Sequence, residues 1–119
     1  MMDYSQLSDF EINLKVAHIV LGKNNYDWDP EKKGVYLAGI DGGEFLPCGY
    51  FDPCNMAADA YPIIVENRIG IIPAPENGLW KAAHRKVGSD STPYHMTQDE
   101  NPLRAAMIVF LMMQENQNG

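Results

Sequence analysis

The sequence predicts an α+β fold in which about three helices pack with a small antiparallel sheet, in an α-β-α sandwich-like arrangement. Two observations carry this prediction. Three segments combine a helix-capping residue with helical spacing of apolar side chains, and one segment has the pattern of a β-hairpin. The chain has 119 residues, enough to bury roughly two-thirds of its unfolded surface. We therefore expect a single domain, residues 1–119, with loop-rich parts at residues 23–51 and 85–100.

The first helix is predicted over residues 8–21. Ser8 and Glu11 stand three positions apart, which is the spacing of a capping box. Gly22 follows the segment, where a residue with left-handed backbone commonly ends a helix. Residues 10–16 also alternate between apolar and polar, as a strand would. We favour the helix, because a strand explains neither the capping box nor the glycine.

Residues 23–51 are polar and then rich in glycine, which indicates irregular structure. Within them, Asp29 and Pro30 predict one short helical turn that ends at Gly34. A strand is expected at residues 35–40, and the glycine-rich segment after it is expected to be a loop.

The second helix is predicted over residues 53–66. Asp52 can cap it, and Pro53 suits the first helical position, where a missing amide donor costs nothing. Cys54 then falls at the second helical position through this geometry. Pro62 lies inside the segment, where it removes one hydrogen bond and should disturb the helix.

The segment after the second helix has the pattern of a β-hairpin. Residues 68–72 and 79–84 form the predicted strands, and residues 75–78, with the sequence Pro-Glu-Asn-Gly, supply the turn. Residues 85–100 show no periodicity, so we expect a loop there.

The last helix is predicted over residues 102–115, with Asn101 as its cap and Pro102 in its first turn. It is apolar on every side, which is typical of a helix that lies in the core or against another subunit. The second option predicts a homodimer. The residues expected at its interface are Ile108, Val109 and Met112.

Charge and hydropathy limit the classes of partner. The formal charge is −7, with eleven Asp and Glu against four Lys and Arg in residues 1–66 and five of each in residues 67–119. Such a surface repels nucleic acid at long range and favours basic partners. The longest apolar run has nine residues, 105–113, against the ~20 that cross a bilayer. Because no signal segment opens the sequence, we expect a cytoplasmic protein without membrane contact.

The sequence gives weak support for metal binding and for nucleophilic catalysis. Cys48, Cys54, His84 and His95 could form a zinc site, but structural zinc usually needs a closely spaced pair of ligands, and these spacings are too loose. Cys54 with a histidine could form a nucleophilic pair, but nothing in the sequence supplies an orienting third group. The sequence therefore predicts no catalytic residue, no metal ligand and no cofactor.

Two charged segments remain as alternatives. A basic cluster beside a tryptophan could bind a small molecule or nucleic acid by phosphate contact and base stacking; it consists of Trp80, Lys81, His84 and Arg85. An acidic segment could mimic nucleic acid and occupy a host protein, although it lacks a regular spacing; it consists of Asp27, Asp29, Glu31, Asp41 and Glu44.

Four sequence segments resemble the NinX-like proteins of lambdoid phages and enterobacterial prophages: "NLKVAHIVLG", "FDPCNMAADAYPIIVENRIGI", "GLWKAA" and "NPLRAAMIVFLMM". The layout is also similar to that of small phage proteins described as α-β-α sandwiches. The resemblance implies a phage accessory protein that acts inside the bacterial host, and it implies no catalytic residue.

Together these features predict a non-enzymatic protein that works by protein–protein contact, with a host or phage protein as its partner and a host process or defence as its target. The alternative function is a module for a small molecule or nucleic acid that uses residues 80–86.

Overall fold

A computed structural model describes residues 3–41, 44–84 and 95–118. After a single 3-10 turn at Tyr4–Gln6, these residues form three helices and six strands. In chain order they are α1 (Asp9–Val20), β1 (Tyr26–Asp29), β2 (Gly34–Asp41), β3 (Glu44–Tyr50), α2 (Ala57–Glu66), β4 (Gly70–Pro73), β5 (Trp80–His84), β6 (His95–Asp99) and α3 (Pro102–Asn118).

The strands form two antiparallel sheets, with the orders β1-β2-β3 and β4-β5-β6. Helix α1 packs on the first sheet, α3 packs on the second sheet, and α3 also contacts both other helices. The predicted α+β class is confirmed. The fold has two small sheets where the sequence predicted one.

The capping box of α1 forms as predicted. Ser8 Oγ accepts a hydrogen bond from the Glu11 amide at 3.1 Å, and the Glu11 carboxylate accepts one from the Ser8 amide at 3.0 Å. These bonds lower the pKa of Glu11 below its ordinary value. Gly22 has a φ of +89° and follows the last turn of the helix, which is the role that its position predicted.

The prediction that residues 23–51 are largely loop is wrong. They contain the whole first sheet, in which β1 and β2 form a hairpin. Asp29 does cap the turn, because its Oδ1 accepts from the amides of Glu31 and Lys32. Gly34 then begins β2 where the prediction had it end a helical turn. Aspartate and glycine are depleted in strands, and their abundance here hid the alternation of Tyr26 with Trp28.

Helix α2 begins at Ala57, four residues later than predicted. The Met56 amide does bond the Asp52 carbonyl at 2.8 Å, as in a helical turn. The backbone of Met56 is then extended, with φ −113° and ψ 113°, and this separates the turn from the helix. Pro62 lies inside α2 as predicted, and the helix continues past it.

The predicted hairpin is confirmed as β4 and β5, whose register pairs Gly70 with Ala83 and Pro73 with Trp80. The expectation of a loop at residues 85–100 is wrong for its last part, because residues 95–99 form β6 and pair with β5. The strand HMTQD is polar and lacks an apolar period, so it gave no strand signal. Residues 85–94 lie outside the described part of the chain.

Helix α3 runs through the core. Ile108 is 2% exposed and Val109 is 0% exposed, so both pack within their own chain and neither presents a surface to a second subunit. Core packing accounts for the apolar character of both residues without a second subunit, and the interface expected at Ile108, Val109 and Met112 stays a prediction. Met112 is only partly buried. Among the described residues, no helix has both the length and the apolar character that crossing a bilayer requires.

Candidate functional site

Arg104, in the first turn of α3, is the centre of a polar network. Its Nε donates to Asp99 Oδ2 at 3.0 Å and its Nη1 to Asp9 Oδ1 at 2.6 Å. Its Nη2 donates to the carbonyls of Ser5 and Leu7 at 3.2 and 2.6 Å. The Arg104 side chain is 14% exposed. Its fork of donors therefore joins α3 to the end of β6, to α1 and to the segment before α1.

Two asparagines extend this network to the turn before α2. Asn101 caps α3, because its Oδ1 accepts from the amides of Leu103 and Arg104. Its Nδ2 donates to the Cys54 carbonyl at 2.7 Å. The buried Asn13 of α1 accepts from the Cys54 amide at 3.1 Å and donates to Asp52 Oδ1 at 2.7 Å. The turn that contains Cys54 is thus bonded from both sides.

We call this network the polar junction. Its members are Asp9, Asn13, Asp52, Cys54, Asn55, Asp99, Asn101 and Arg104. Their polar groups bond one another and the backbone, which is how buried polar groups are normally satisfied. The junction therefore joins α1 and α3 to the turn that precedes α2. The sequence shows Asp52 and Asn101 as capping residues, but it does not show the network that joins them to α1 and Arg104.

Cys54 is fully buried within the junction. Burial raises the pKa of its thiol, and the negative charge of Asp9 raises the pKa further. A reactive cysteine needs a lowered pKa and access to solvent. The thiol therefore lacks both properties that the nucleophilic alternative required.

We expect Cys54 to resist alkylation by iodoacetamide in the folded protein and to react at once in urea. The measurement is mass spectrometry of a Cys48→Ser variant, in which Cys54 is the single thiol. Labelling of the folded protein within minutes at pH 8 would contradict this expectation.

The residues of the predicted ligand site lie along β5 without converging. Trp80 and His84 share the face of the strand that carries the buried Ala82, while Lys81 points to the opposite face. Trp80 and His84 are four positions apart, which is roughly 13 Å along a strand. Arg85 lies outside the described residues.

The structure does bring His84 and His95 together. They are paired across β5 and β6, with ring centroids 6.0 Å apart. Cys54 belongs to the polar junction instead. Among the residues the structure describes, no three His, Cys, Asp or Glu side chains are grouped to hold a metal ion.

The histidine pair predicts a loss of stability in mild acid. Burial and the neighbouring His84 lower the pKa of His95 from its ordinary value of 6.5. The unfolded chain therefore takes up this proton at a higher pH than the folded chain does. The stability that neutral His95 contributes is complete above pH 6.5. It is lost as the pH falls through the lower pKa that His95 has in the folded protein.

Urea unfolding at pH 7.5 and pH 5.5 measures this effect. His95→Gln should reduce the fall in unfolding free energy between the two pH values, and His18→Gln serves as the control. An equal fall in His95→Gln and in the unchanged protein would contradict the assignment.

An open groove of about 480 Å³ lies between α1, β1 and the end of α3. Its walls are mainly aromatic and aliphatic, and we call it the aromatic groove. The residues that line it are Tyr4, Leu14, Lys15, His18, Ile19, Tyr26, Trp28, Leu111, Gln114 and Glu115. Tyr26 stacks on Trp28 with centroids 5.9 Å apart, and its hydroxyl lies 3.0 Å from His18 Nδ1. These contacts hold the aromatic wall in place.

Tyr4 and Glu115 contribute polar groups to the aromatic groove. The Tyr4 hydroxyl donates to the Glu115 carboxylate at 2.8 Å. Burial and this carboxylate raise the pKa of Tyr4 to about 12. Two apolar lining residues are well exposed: Ile19 is 42% exposed and Trp28 is 45% exposed. A groove that gathers exposed apolar side chains around a few polar groups is typical of a binding surface.

A second concave surface, of about 560 Å³, lies on the other side of β1. It is formed by the face of the first sheet that points away from α1. Tyr36 and Tyr50 meet there with ring centroids 4.8 Å apart. Asp27 and Asp29 lie beside them.

The fold and these surfaces define a small α+β protein in which a polar junction joins α1 and α3 to the turn before α2 and in which two concave surfaces are open to solvent. A family model described as "Bacteriophage P22, NinX" matches residues 3–114. The chain therefore belongs to this NinX family of phage proteins. No curated protein matches the chain closely enough to add a relative.

Proposed function

We propose that this phage protein is a non-enzymatic accessory protein that acts by contact with another protein inside the bacterial host, and that its target is a host process or defence. The aromatic groove is the observation that carries the proposal. Its exposed Ile19 and Trp28 lie on neighbouring elements that are fixed by the core. Aromatic and aliphatic anchors in a preformed groove are the features that dominate binding energy in protein interfaces.

The polar junction and Cys54 fit a protein that binds a partner better than they fit an enzyme. The polar junction uses its donors and acceptors in bonds among α1, α3 and the turn before α2. The thiol of Cys54 is buried within it. The alternative module at residues 80–86 gains less support, because Trp80 and Lys81 point to opposite faces of β5.

Affinity capture from infected host cells tests the proposal, with two variants as a matched pair. Ile19→Lys places a charge in the aromatic groove, and Ile72→Lys places the same charge on the exposed outer face of the second sheet. The two isoleucines are 42% and 56% exposed, so neither change should unfold the chain.

We expect one reproducible partner that the unchanged protein and Ile72→Lys capture and that Ile19→Lys loses. Capture that is equal in both variants would overturn the role of the groove. Light scattering tests whether the partner is a second copy of the chain. A dimer that Ile19→Lys dissociates would mean that the partner is a second copy of the chain.

A further inference from the structure

The outer face of the first sheet combines aromatic rings with acidic side chains. Residues directly opposite each other in antiparallel strands share one face of the sheet. Asp27 lies opposite Tyr36, and Tyr36 lies opposite Tyr50. Asp29 lies opposite Gly34 on the same face. The buried Val35 and its neighbours on the other face pack toward α1, so this acidic-aromatic face is turned to solvent.

The two tyrosines form a wall that is fitted to the backbone beneath it. Tyr50 is 61% exposed, yet its ring lies over Gly34. A Cβ atom at position 34 would come within 2.7 Å of Tyr50 Cε1. The absence of a side chain at Gly34 therefore allows the ring to lie there. Tyr36 completes the wall at an interplanar angle of 37° to Tyr50.

The two carboxylates beside the wall keep acceptor atoms available. Asp27 Oδ1 accepts from the Trp28 amide, and Asp29 Oδ1 accepts from the amides of the following turn. Among the described residues, no donor bonds Oδ2 of either aspartate. One cation, Lys32, lies at the rim of the same surface. The carboxylates therefore outnumber the positive charge.

We propose that this acidic-aromatic face binds an arginine side chain presented by a basic segment of a partner protein. The proposal rests on the proposed function, and it names the chemistry of the partner. A guanidinium group stacks on aromatic faces and donates a planar fork of hydrogen bonds to carboxylates. The rings of Tyr36 and Tyr50 offer the aromatic faces, and the carboxylates of Asp27 and Asp29 offer the acceptors.

Other occupants fit the surface less well. A phosphate or a nucleic-acid backbone is repelled by Asp27 and Asp29. An apolar segment would remove both carboxylates from water without supplying donors. The charge of −7 that the sequence concentrates in residues 1–66 also steers a basic segment toward this half of the chain.

A peptide titration of the purified protein tests the proposal. The probe is acetyl-Gly-Arg-Gly-Arg-Gly-amide, and the matched probe carries citrulline in place of both arginines, which keeps the shape and removes the charge. Binding is followed by the ring resonances of Tyr36 and Tyr50 in NMR spectra. We expect saturable shifts with the arginine peptide that weaken as salt is added.

Two variants locate the binding. Asp27→Asn with Asp29→Asn removes both charges, and asparagine still caps the turn as aspartate does. Gly34→Ala keeps both charges and displaces the exposed Tyr50 ring. Each is expected to weaken binding at least tenfold. The control is Glu76→Gln with Glu100→Gln, which changes the net charge equally on exposed residues elsewhere.

Three results would overturn the proposal: equal binding of the citrulline peptide, equal weakening in the control variant, or full binding by Gly34→Ala. Equal binding of a lysine peptide would overturn the choice of guanidinium. The titration uses no natural partner, so it can fail while the capture experiment succeeds, and the capture experiment can fail while the titration succeeds.

Discussion

Replacing Arg104 by alanine is expected to lower the free energy of unfolding by about 3 kcal/mol, because it removes one partner of a largely buried charge network. The change leaves the carboxylates of Asp9 and Asp99 without their shared cation. It also leaves the carbonyls of Ser5 and Leu7 without a donor. Urea unfolding followed by circular dichroism at pH 7 measures the difference.

Two variants control this experiment. Arg104→Lys keeps the charge but cannot reproduce the fork of donors, so we expect it to recover less than half of the loss. Lys23→Ala removes a cation from an exposed position and should change the free energy of unfolding by less than about 0.5 kcal/mol. A loss for Arg104→Ala as small as that of Lys23→Ala would show that the polar junction contributes little to stability.

Replacing Ile108 by alanine is also expected to lower the free energy of unfolding by about 3 kcal/mol, because it leaves a cavity in a packed core. Ile108 is fully surrounded by its own chain. The loss should therefore be the same at low and high protein concentration, which urea unfolding at two concentrations tests. Met112→Ala, at a partly buried position, should cost less.

The opposite result would support the predicted dimer interface. If the stability of the unchanged protein fell on dilution and Ile108→Ala removed that dependence, α3 would contribute to a subunit contact. Packing within the core would then explain only part of the role of Ile108.

Local signals in the sequence predicted those parts of the fold that depend on neighbouring residues. The capping box of Ser8 and Glu11 and the cap at Asn101 are decided within one helical turn, and both are confirmed. The hairpin of β4 and β5 was found because its turn residues lie between two strand-like runs. In each case a few capping or turn residues beside the element determine the structure.

The first sheet and β6 could not be predicted in the same way. Strand β6 is specified by its partner β5 across an eleven-residue separation from His84 to His95. In the first sheet, pairing with neighbouring strands overrides the poor strand propensity of Asp27 and Asp29. Propensity is a weak guide where cross-strand contacts decide the conformation.

The candidate surfaces were less predictable still. Asp27 and Asp29 were noticed as part of an acidic segment, but the sequence does not show that Tyr36 and Tyr50 share their face. That follows only from the register of three strands. The polar junction was missed for the same reason, since Arg104 and Asp9 are 95 positions apart.

This separation has a consequence for how the protein folds during synthesis. The bond from Arg104 to Asp9 and the bond from Tyr4 to Glu115, 111 positions apart, cannot form until α3 has been made. Helix α3 also supplies much of the core. A nascent chain that ends before residue 102 therefore exposes the apolar faces of α1 and the second sheet. Such contacts between distant segments slow folding, so the ribosome-bound chain is the state most exposed to chaperones and proteases.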